Sequence, residues 1–109
     1  MVTTVRSIMA ATARLYGIRD FVPYKRDDHT SRARQLAMYL AREITGQSYP
    51  QLGAVFHRHH STIMLGCDNV AYRLEREPIL RMARNAIRRE VGGRRRLTLR
   101  RIPPADERL

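Results

Sequence analysis

Four consecutive polar residues, His59-His60-Ser61-Thr62, form the densest group of hydrogen-bonding side chains in the sequence. Imidazole and hydroxyl groups can bond base edges or phosphates, and the methyl group of Thr62 can touch the methyl group of thymine. An apolar stripe at helical spacing follows them, so they stand at the start of a predicted helix. The free N–H groups and positive dipole end of such a start favour a phosphate, so this chemistry suits DNA.

The residues around this group predict two helices joined by a turn. A short helix is expected over residues 50–56, with Ser48 as N-cap and Pro50 in its first turn. Arg58 to His60 is the predicted turn, and a longer helix over 61–75 follows. Its buried stripe is Ile63, Cys67, Val70 and Leu74, flanked by Met64 and Ala71. This order predicts a helix-turn-helix, in which the start of the second helix meets base edges in the major groove.

Three further helices are predicted, over 4–16, 31–45 and 78–91, which makes the fold all-α. Gly17 and Gly46 are expected to end the first two, and Thr30 or Ser31 to cap the second. The expected inward residues are Ile8, Ala11, Thr12, Leu15 and Tyr16; Leu36, Ala37, Leu40, Ala41 and Ile44; Leu52, Val55 and Phe56; and Leu80, Ala83 and Ile87. Ile18 and Phe21, in the first connection, are expected to pack into the same core. We therefore divide the chain into a helix-turn-helix domain over 1–91 and a flexible, arginine-rich tail over 92–109.

The charge of the chain points to a polyanion as its partner. The net charge is +11, and Lys25 is the single lysine among 21 basic residues. Arginine suits phosphate and guanine edges better than lysine does. Residues 1–77 carry 11 basic and 7 acidic residues, against 10 and 3 in residues 78–109. The run from Arg94 to Arg101 is interpreted as a phosphate clamp, with a solubilising tail or a coat for an anionic membrane face as alternatives.

Several other functions are disfavoured by the sequence. The spacing of His57, His59 and His60 lacks two further ligands for zinc, so no metal and no cofactor are expected. Cys67 stands alone on the buried stripe, which favours a reducing, cytoplasmic location and a packing role. DNA binding would place the protein at the nucleoid. No apolar run approaches the roughly 18 residues of a membrane span. No nucleophile–base pair or set of paired carboxylates is visible, so an enzyme is not expected.

A long stretch of the chain resembles a known family. RARQLAMYLAREITGQSYPQLGAVF, starting at Arg32, is similar to the RQ-AMYL-RE-T helix and SLPEIG start of the next helix in the C-terminal DNA-binding domain (domain IV) of the bacterial replication initiator DnaA. HHSTIMLGC, starting at His59, resembles the DHTTVLHAC signature of that domain. The resemblance covers about residues 5–91, with weaker matches at ARLYGI and in the last helix. It implies a helical bundle of the DnaA domain IV or Trp repressor type.

The resemblance also implies roles for individual residues. Double-stranded DNA is the implied partner. His59, His60, Ser61 and Thr62 would read the major groove, and Arg26 would enter the minor groove. The residues implied to contact the DNA backbone and set the register are Arg34, Gln35, Arg42, Tyr49, Pro50 and Arg58. A solvated helix face remains the alternative reading of Arg34, Gln35 and Arg42, and packing that of Tyr49.

Three departures from the family pattern bear on the preferred DNA site. His59 replaces an aspartate, which would accept from cytosine N4, whereas a neutral histidine can donate or accept. The turn from Phe56 to His59 is one residue shorter than the usual glycine-containing form. Asn69 replaces a basic residue, which removes a phosphate contact.

The sequence also lacks the GxxxxGK[ST] phosphate loop of the initiator's ATPase. The chain is then either a stand-alone binder of boxes or a fragment of something longer, and the starting methionine and the arginine tail favour a complete small protein. We expect it to bind boxes like those of the initiator and to act in replication initiation or its regulation. A chain with only the binding half could also compete with the full initiator. Two alternatives stay open: a transcriptional regulator with unrelated sites, and an RNA-binding or adaptor protein. The oligomeric state does not follow from the sequence.

Overall fold

The computed structural model describes residues 3–19, 21 and 27–92, and these residues form five α-helices and no β-strand. The helices are α1 (Val5–Tyr16), α2 (Asp28–Thr45), α3 (Tyr49–Phe56), α4 (His60–Leu74) and α5 (Pro78–Val91). The predicted all-α fold is confirmed. None of the described helices has the length and apolar character that crossing a membrane requires.

Helix α2 is the centre of the described fold. Leu36, Ala37, Leu40 and Ala41 are fully buried along it, because apolar side chains recur three and four positions apart. Its two faces pack mainly against α1 and α4, while α3 packs on α4 and α5 on α1. The helix-turn-helix formed by α3 and α4 is therefore held on a scaffold made by α1, α2 and α5.

The helix ends follow the capping rules, although several helices begin at other residues than predicted. Gly17 and Gly46 end α1 and α2 with φ of 67° and 70°, where glycine carries no Cβ penalty. The predicted cap of α2 at Thr30 or Ser31 is wrong, because Asp27 caps the helix by accepting from the Thr30 N–H at 2.8 Å. Similarly, α3 begins at Tyr49, one residue before Pro50.

The predicted core is mostly confirmed, with a few corrections. Phe21 is buried, and Ile18 packs against the core at its edge, as expected. Leu15 is 48% and Met64 37% exposed, so both were wrongly placed against the core. Val55 and Ala83 are only half-buried. These four residues lie at the margins of their apolar stripes, where periodicity alone does not decide burial.

A buried ion pair ties α5 to α2. Glu43 is 1% exposed and accepts hydrogen bonds from Arg88, whose Nε lies 2.9 Å from Glu43 Oε1. Burial and the neighbouring Glu43 carboxylate together raise the pKa of Tyr39 to about 12. Arg14 also pairs with Glu90, and the Thr3 hydroxyl donates to the Val91 carbonyl. Polar contacts thus hold the two ends of the described chain together.

Candidate nucleic-acid interface

The turn between α3 and α4 depends on one glycine. A Cβ atom added to Gly53 would lie 2.5 Å from the Arg58 carbonyl oxygen, closer than real side chains come. The Gly53 carbonyl also accepts from the Arg58 N–H at 2.9 Å and from the His57 N–H. The turn therefore folds back directly over α3, and its close approach fixes where α4 begins.

The turn is strained at His57. This residue caps the C-terminus of α3 with φ of 56°, a left-handed conformation that costs a non-glycine residue about 1 kcal/mol. Glycine would adopt it without that cost. The shortened turn thus still contains a position of glycine geometry, filled here by a histidine.

Helix α4 begins one residue earlier than predicted, and His59 is its N-cap rather than part of the turn. His59 Nδ1 accepts from the Ser61 N–H at 3.2 Å, and Ser61 Oγ lies 2.7 Å from the same nitrogen. The Ser61 N–H can donate to Nδ1 only when the ring proton is on Nε2, and in that tautomer the Ser61 hydroxyl also donates to Nδ1. The oxygen lone pairs of Ser61 are then left to accept from a base amino group or a water.

The four predicted base-reading residues lie together at this helix start. His59, His60, Ser61 and Thr62 are all exposed, while Ile63 directly after them is fully buried. The imidazole rings of His59 and His60 lie 4.1 Å apart, centroid to centroid. The first turn of α4 thus forms one polar, solvent-facing edge at the positive end of the helix dipole.

We expect His59→Asp to stabilise the domain by about 0.5–1 kcal/mol, because aspartate is a better N-cap than histidine and its charge suits the helix dipole. His60→Asp is the matched control, since it adds the same charge one position later, beyond the cap; its gain should be a few tenths of a kcal/mol. Urea unfolding monitored by circular dichroism measures both. Equal stability changes would show that His59 does not act as the cap.

The exposed edge of α4 continues onto α2 through Gln35. Gly66 lets the two helices approach, since an added Cβ there would lie 3.1 Å from Met38 Sδ and 3.5 Å from Gln35 Cγ. Beyond Gly66, a cleft of about 340 Å³ opens between the helices. It is lined by Asp28, Ser31, Arg32, Gln35, Asn69, Tyr72 and Arg73. Gln35 therefore stands beside α4 at Gly66, which follows Thr62 by one helical turn, and its register contact stays a prediction.

The two predicted arginines of α2 differ in their environments. Arg34 is 7% exposed, whereas Gln35 and Arg42 are half-buried, so the three do not share one exposed surface as predicted; the DNA contact of Arg34 stays a prediction. Arg42 donates to the Gln47 carbonyl at 2.6 Å and stacks 4.7 Å from the ring centre of Tyr49. Arg42 therefore fixes the start of α3 as well as carrying a charge there.

The remaining predicted contacts are only partly described. Pro50 is exposed, and Tyr49 and Arg58 are half-buried near the ends of α3. Arg26, predicted for the minor groove, lies outside the described residues, as do the tail after Gly92 and its run from Arg94 to Arg101.

Leu65 is an exposed residue of α4 that the sequence analysis did not predict as part of the site. It is 63% exposed, and its position opposite the buried stripe was the available signal.

The other described features do not form a further binding site for DNA or metal. Burial raises the pKa of the Cys67 thiol to about 12, which suits a packing role. Within the described ranges, no three His, Cys, Asp or Glu side chains converge as metal ligands. A groove of about 890 Å³, lined by Leu15, Ile79 and Met82 among others, contains none of the predicted DNA-binding residues.

A short helix, a tight turn and a second helix with an exposed polar start, set on three supporting helices, define a helix-turn-helix DNA-binding domain. The sequence-family model described as the bacterial DnaA protein helix-turn-helix matches residues 5–70 of this chain. The chain belongs to this family.

Individual relatives agree with the family match. The chain is 41% identical over 70 residues to the chromosomal replication initiator protein DnaA of Methylobacillus flagellatus, covering 62% of this chain and 15% of that protein. It is 46% identical over 63 residues to DnaA of Acinetobacter baumannii strain AYE, covering 57% and 14%. A DnaA of Thermoanaerobacter sp. is 29% identical over 92 residues, covering 83% and 21%. The chain thus spans about a fifth or less of the length of these relatives.

Proposed function

We propose that this chain binds double-stranded DNA sequence-specifically at sites like the boxes of the replication initiator, and acts in replication initiation or its regulation. The observation that carries the proposal is the exposed edge His59–Thr62 at the start of α4 in a chain of this family. Ser61 and Thr62, with His59 and His60, read bases, and Gln35 on α2 fixes the register. Arg42, Tyr49, Pro50 and Arg58 lie along the DNA backbone, and Arg26 enters the adjacent minor groove.

The family's own site is not carried over unchanged, because the N-cap differs. In the tautomer that carries its proton on Nε2, His59 offers a donor where aspartate offers only acceptors. A base that presents an acceptor in the major groove, such as guanine O6 or N7, suits that donor better than cytosine N4 does. We therefore expect a box related to that of the initiator with a changed preference opposite His59.

Selection from random duplex DNA with the purified protein tests the proposal. The expected result is a single preferred motif that shares most positions with an initiator box. A motif unrelated to such boxes would point to a transcriptional regulator instead. Equal binding of single-stranded RNA and duplex DNA at fixed salt would point to an RNA-binding protein, and both results would overturn the replication role.

Arg42→Ala should weaken binding to all duplexes and reduce the slope of log K against log salt by about one, because one phosphate contact is lost. Arg42→Lys is the control for its structural role, since lysine keeps the charge but loses the forked bonds at the start of α3. The slope is measured by fluorescence anisotropy over a salt series. A slope unchanged in Arg42→Ala would show that Arg42 only supports α3.

The protein is also expected to associate with the nucleoid and to compete with a full-length initiator. These 109 residues contain no phosphate-loop motif, so by themselves they would occupy a box without hydrolysing ATP. Displacement of a labelled full-length initiator from the selected duplex measures the competition. Simultaneous binding of both proteins to one box would contradict it.

A further inference from the structure

Leu65 is a large apolar side chain at the centre of the outward face of α4. It is 63% exposed, whereas Ile63, two residues before it, is fully buried. Two helical residues are separated by about 200°, so Leu65 points almost directly away from the core. An exposed leucine alone says little, since apolar atoms make up much of any protein surface. Its importance comes from its position beside the reading edge, the exposed residues His59, His60, Ser61 and Thr62 at the start of α4.

Leu65 lies directly behind the two hydroxyl residues of the reading edge. It follows Ser61 by four positions and Thr62 by three, so it is the next side chain along the same helix surface. All three are exposed, and Asn69, also exposed, continues the surface another turn. A base pair next to the one that meets Ser61 and Thr62 would therefore meet Leu65.

The chemistry of an isobutyl group restricts what it can recognise. It has no donor or acceptor, and among the major-groove edges of the four bases only thymine presents an apolar group, its 5-methyl. A polar base edge against Leu65 would lose its water without gaining a hydrogen bond, which is unfavourable. An isobutyl side chain that faces the major groove would thus favour a methyl group and disfavour polar base edges at one position.

We propose that Leu65 is a specificity-determining residue that reads the 5-methyl group of one thymine in the bound duplex. This inference rests on the proposed function, because it requires α4 to lie in the major groove. Helix α4 then combines two kinds of readout, hydrogen bonding at Ser61 and Thr62 and apolar contact at Leu65. The preferred site contains a thymine at the position next to that read by Ser61 and Thr62.

Single replacement of each thymine in the selected duplex by deoxyuridine tests the inference, because it removes only the methyl group. The wild-type protein should bind one of these duplexes roughly three- to fivefold more weakly, the value of one buried methyl group. Leu65→Ala should be insensitive to that replacement. Met64→Ala, which truncates the neighbouring partly exposed residue, should keep the wild-type sensitivity.

The outcomes separate this inference from the function on which it rests. Uniform tolerance of deoxyuridine, sensitivity that persists in Leu65→Ala, or a selected motif without thymine would each overturn the role of Leu65 and leave duplex recognition standing. A selection that returns no motif would overturn both. Circular dichroism of Leu65→Ala should match the wild type, since the residue is outside the core.

Discussion

Replacing Arg88 by alanine is expected to lower the free energy of unfolding by about 3–5 kcal/mol, because Glu43 would remain as an uncompensated charge in the core. Glu43 is 1% exposed, whereas the Arg88 side chain is 22% exposed and reaches it from the rim of α5. Removing the arginine therefore leaves the carboxylate buried without its partner. Urea unfolding at neutral pH measures the loss.

Two further variants show whether burial of the charge is the cause. Arg89→Ala truncates the next, exposed arginine of the same helix, and its effect should stay within about 0.5 kcal/mol. The double variant Glu43→Leu/Arg88→Met removes both charges and should recover most of the stability. Equal losses in Arg88→Ala and Arg89→Ala would show that the ion pair does not anchor α5.

The second large effect is expected at the turn that positions α4. Gly53→Val should destabilise the domain by about 2–3 kcal/mol, because the first side-chain atom alone would lie 2.5 Å from the Arg58 carbonyl oxygen. That oxygen belongs to the backbone, so the turn must move. The start of α4 would move with it, and binding to the selected duplex should fall far more than the loss of folded protein accounts for.

Ala54→Val provides the matched control for the turn. Ala54 is the next residue of α3 and is exposed, so the substitution introduces the same valine side chain without a clash and should cost about 0.6 kcal/mol of helix propensity. Thermal unfolding gives the stabilities, and anisotropy at a temperature where each variant is folded gives the affinities. Equal behaviour of the two valine variants would contradict a role for Gly53 in placing the reading helix.

Helix positions were the most predictable part of the fold from sequence. The apolar stripes of α2 and α4 and the glycines at 17 and 46 decide their helices by local rules alone. Boundaries were less predictable where several residues can cap a helix: Asp27 competes with Thr30, and His59 is an uncommon cap. The pairing of Glu43 with Arg88, 45 residues apart, left no local signal at all.

The residues of the candidate site also differ in how well the sequence predicts their exposure. Ser61 and Thr62 were predictable because they directly precede a buried stripe, so their exposure follows from periodicity. Arg34 was not, because the sequence does not reveal that a charged residue beside Gln35 packs inward. Leu65 was overlooked because an apolar residue on a helix is ordinarily assigned to the core. The angle of about 200° between Ile63 and Leu65 on one helix was the signal that places Leu65 opposite the buried stripe.

NMR titration of the ¹⁵N-labelled protein with the selected duplex tests most directly whether the start of α4 reads duplex DNA. The amide signals of residues 59–62, of Leu65 and of Gln35 should shift most. The signals of Ile79 and Met82, in the groove beside α5, should stay in place. Large shifts confined to that groove, with the signals of residues 59–62 unchanged, would contradict the reading of DNA by the start of α4.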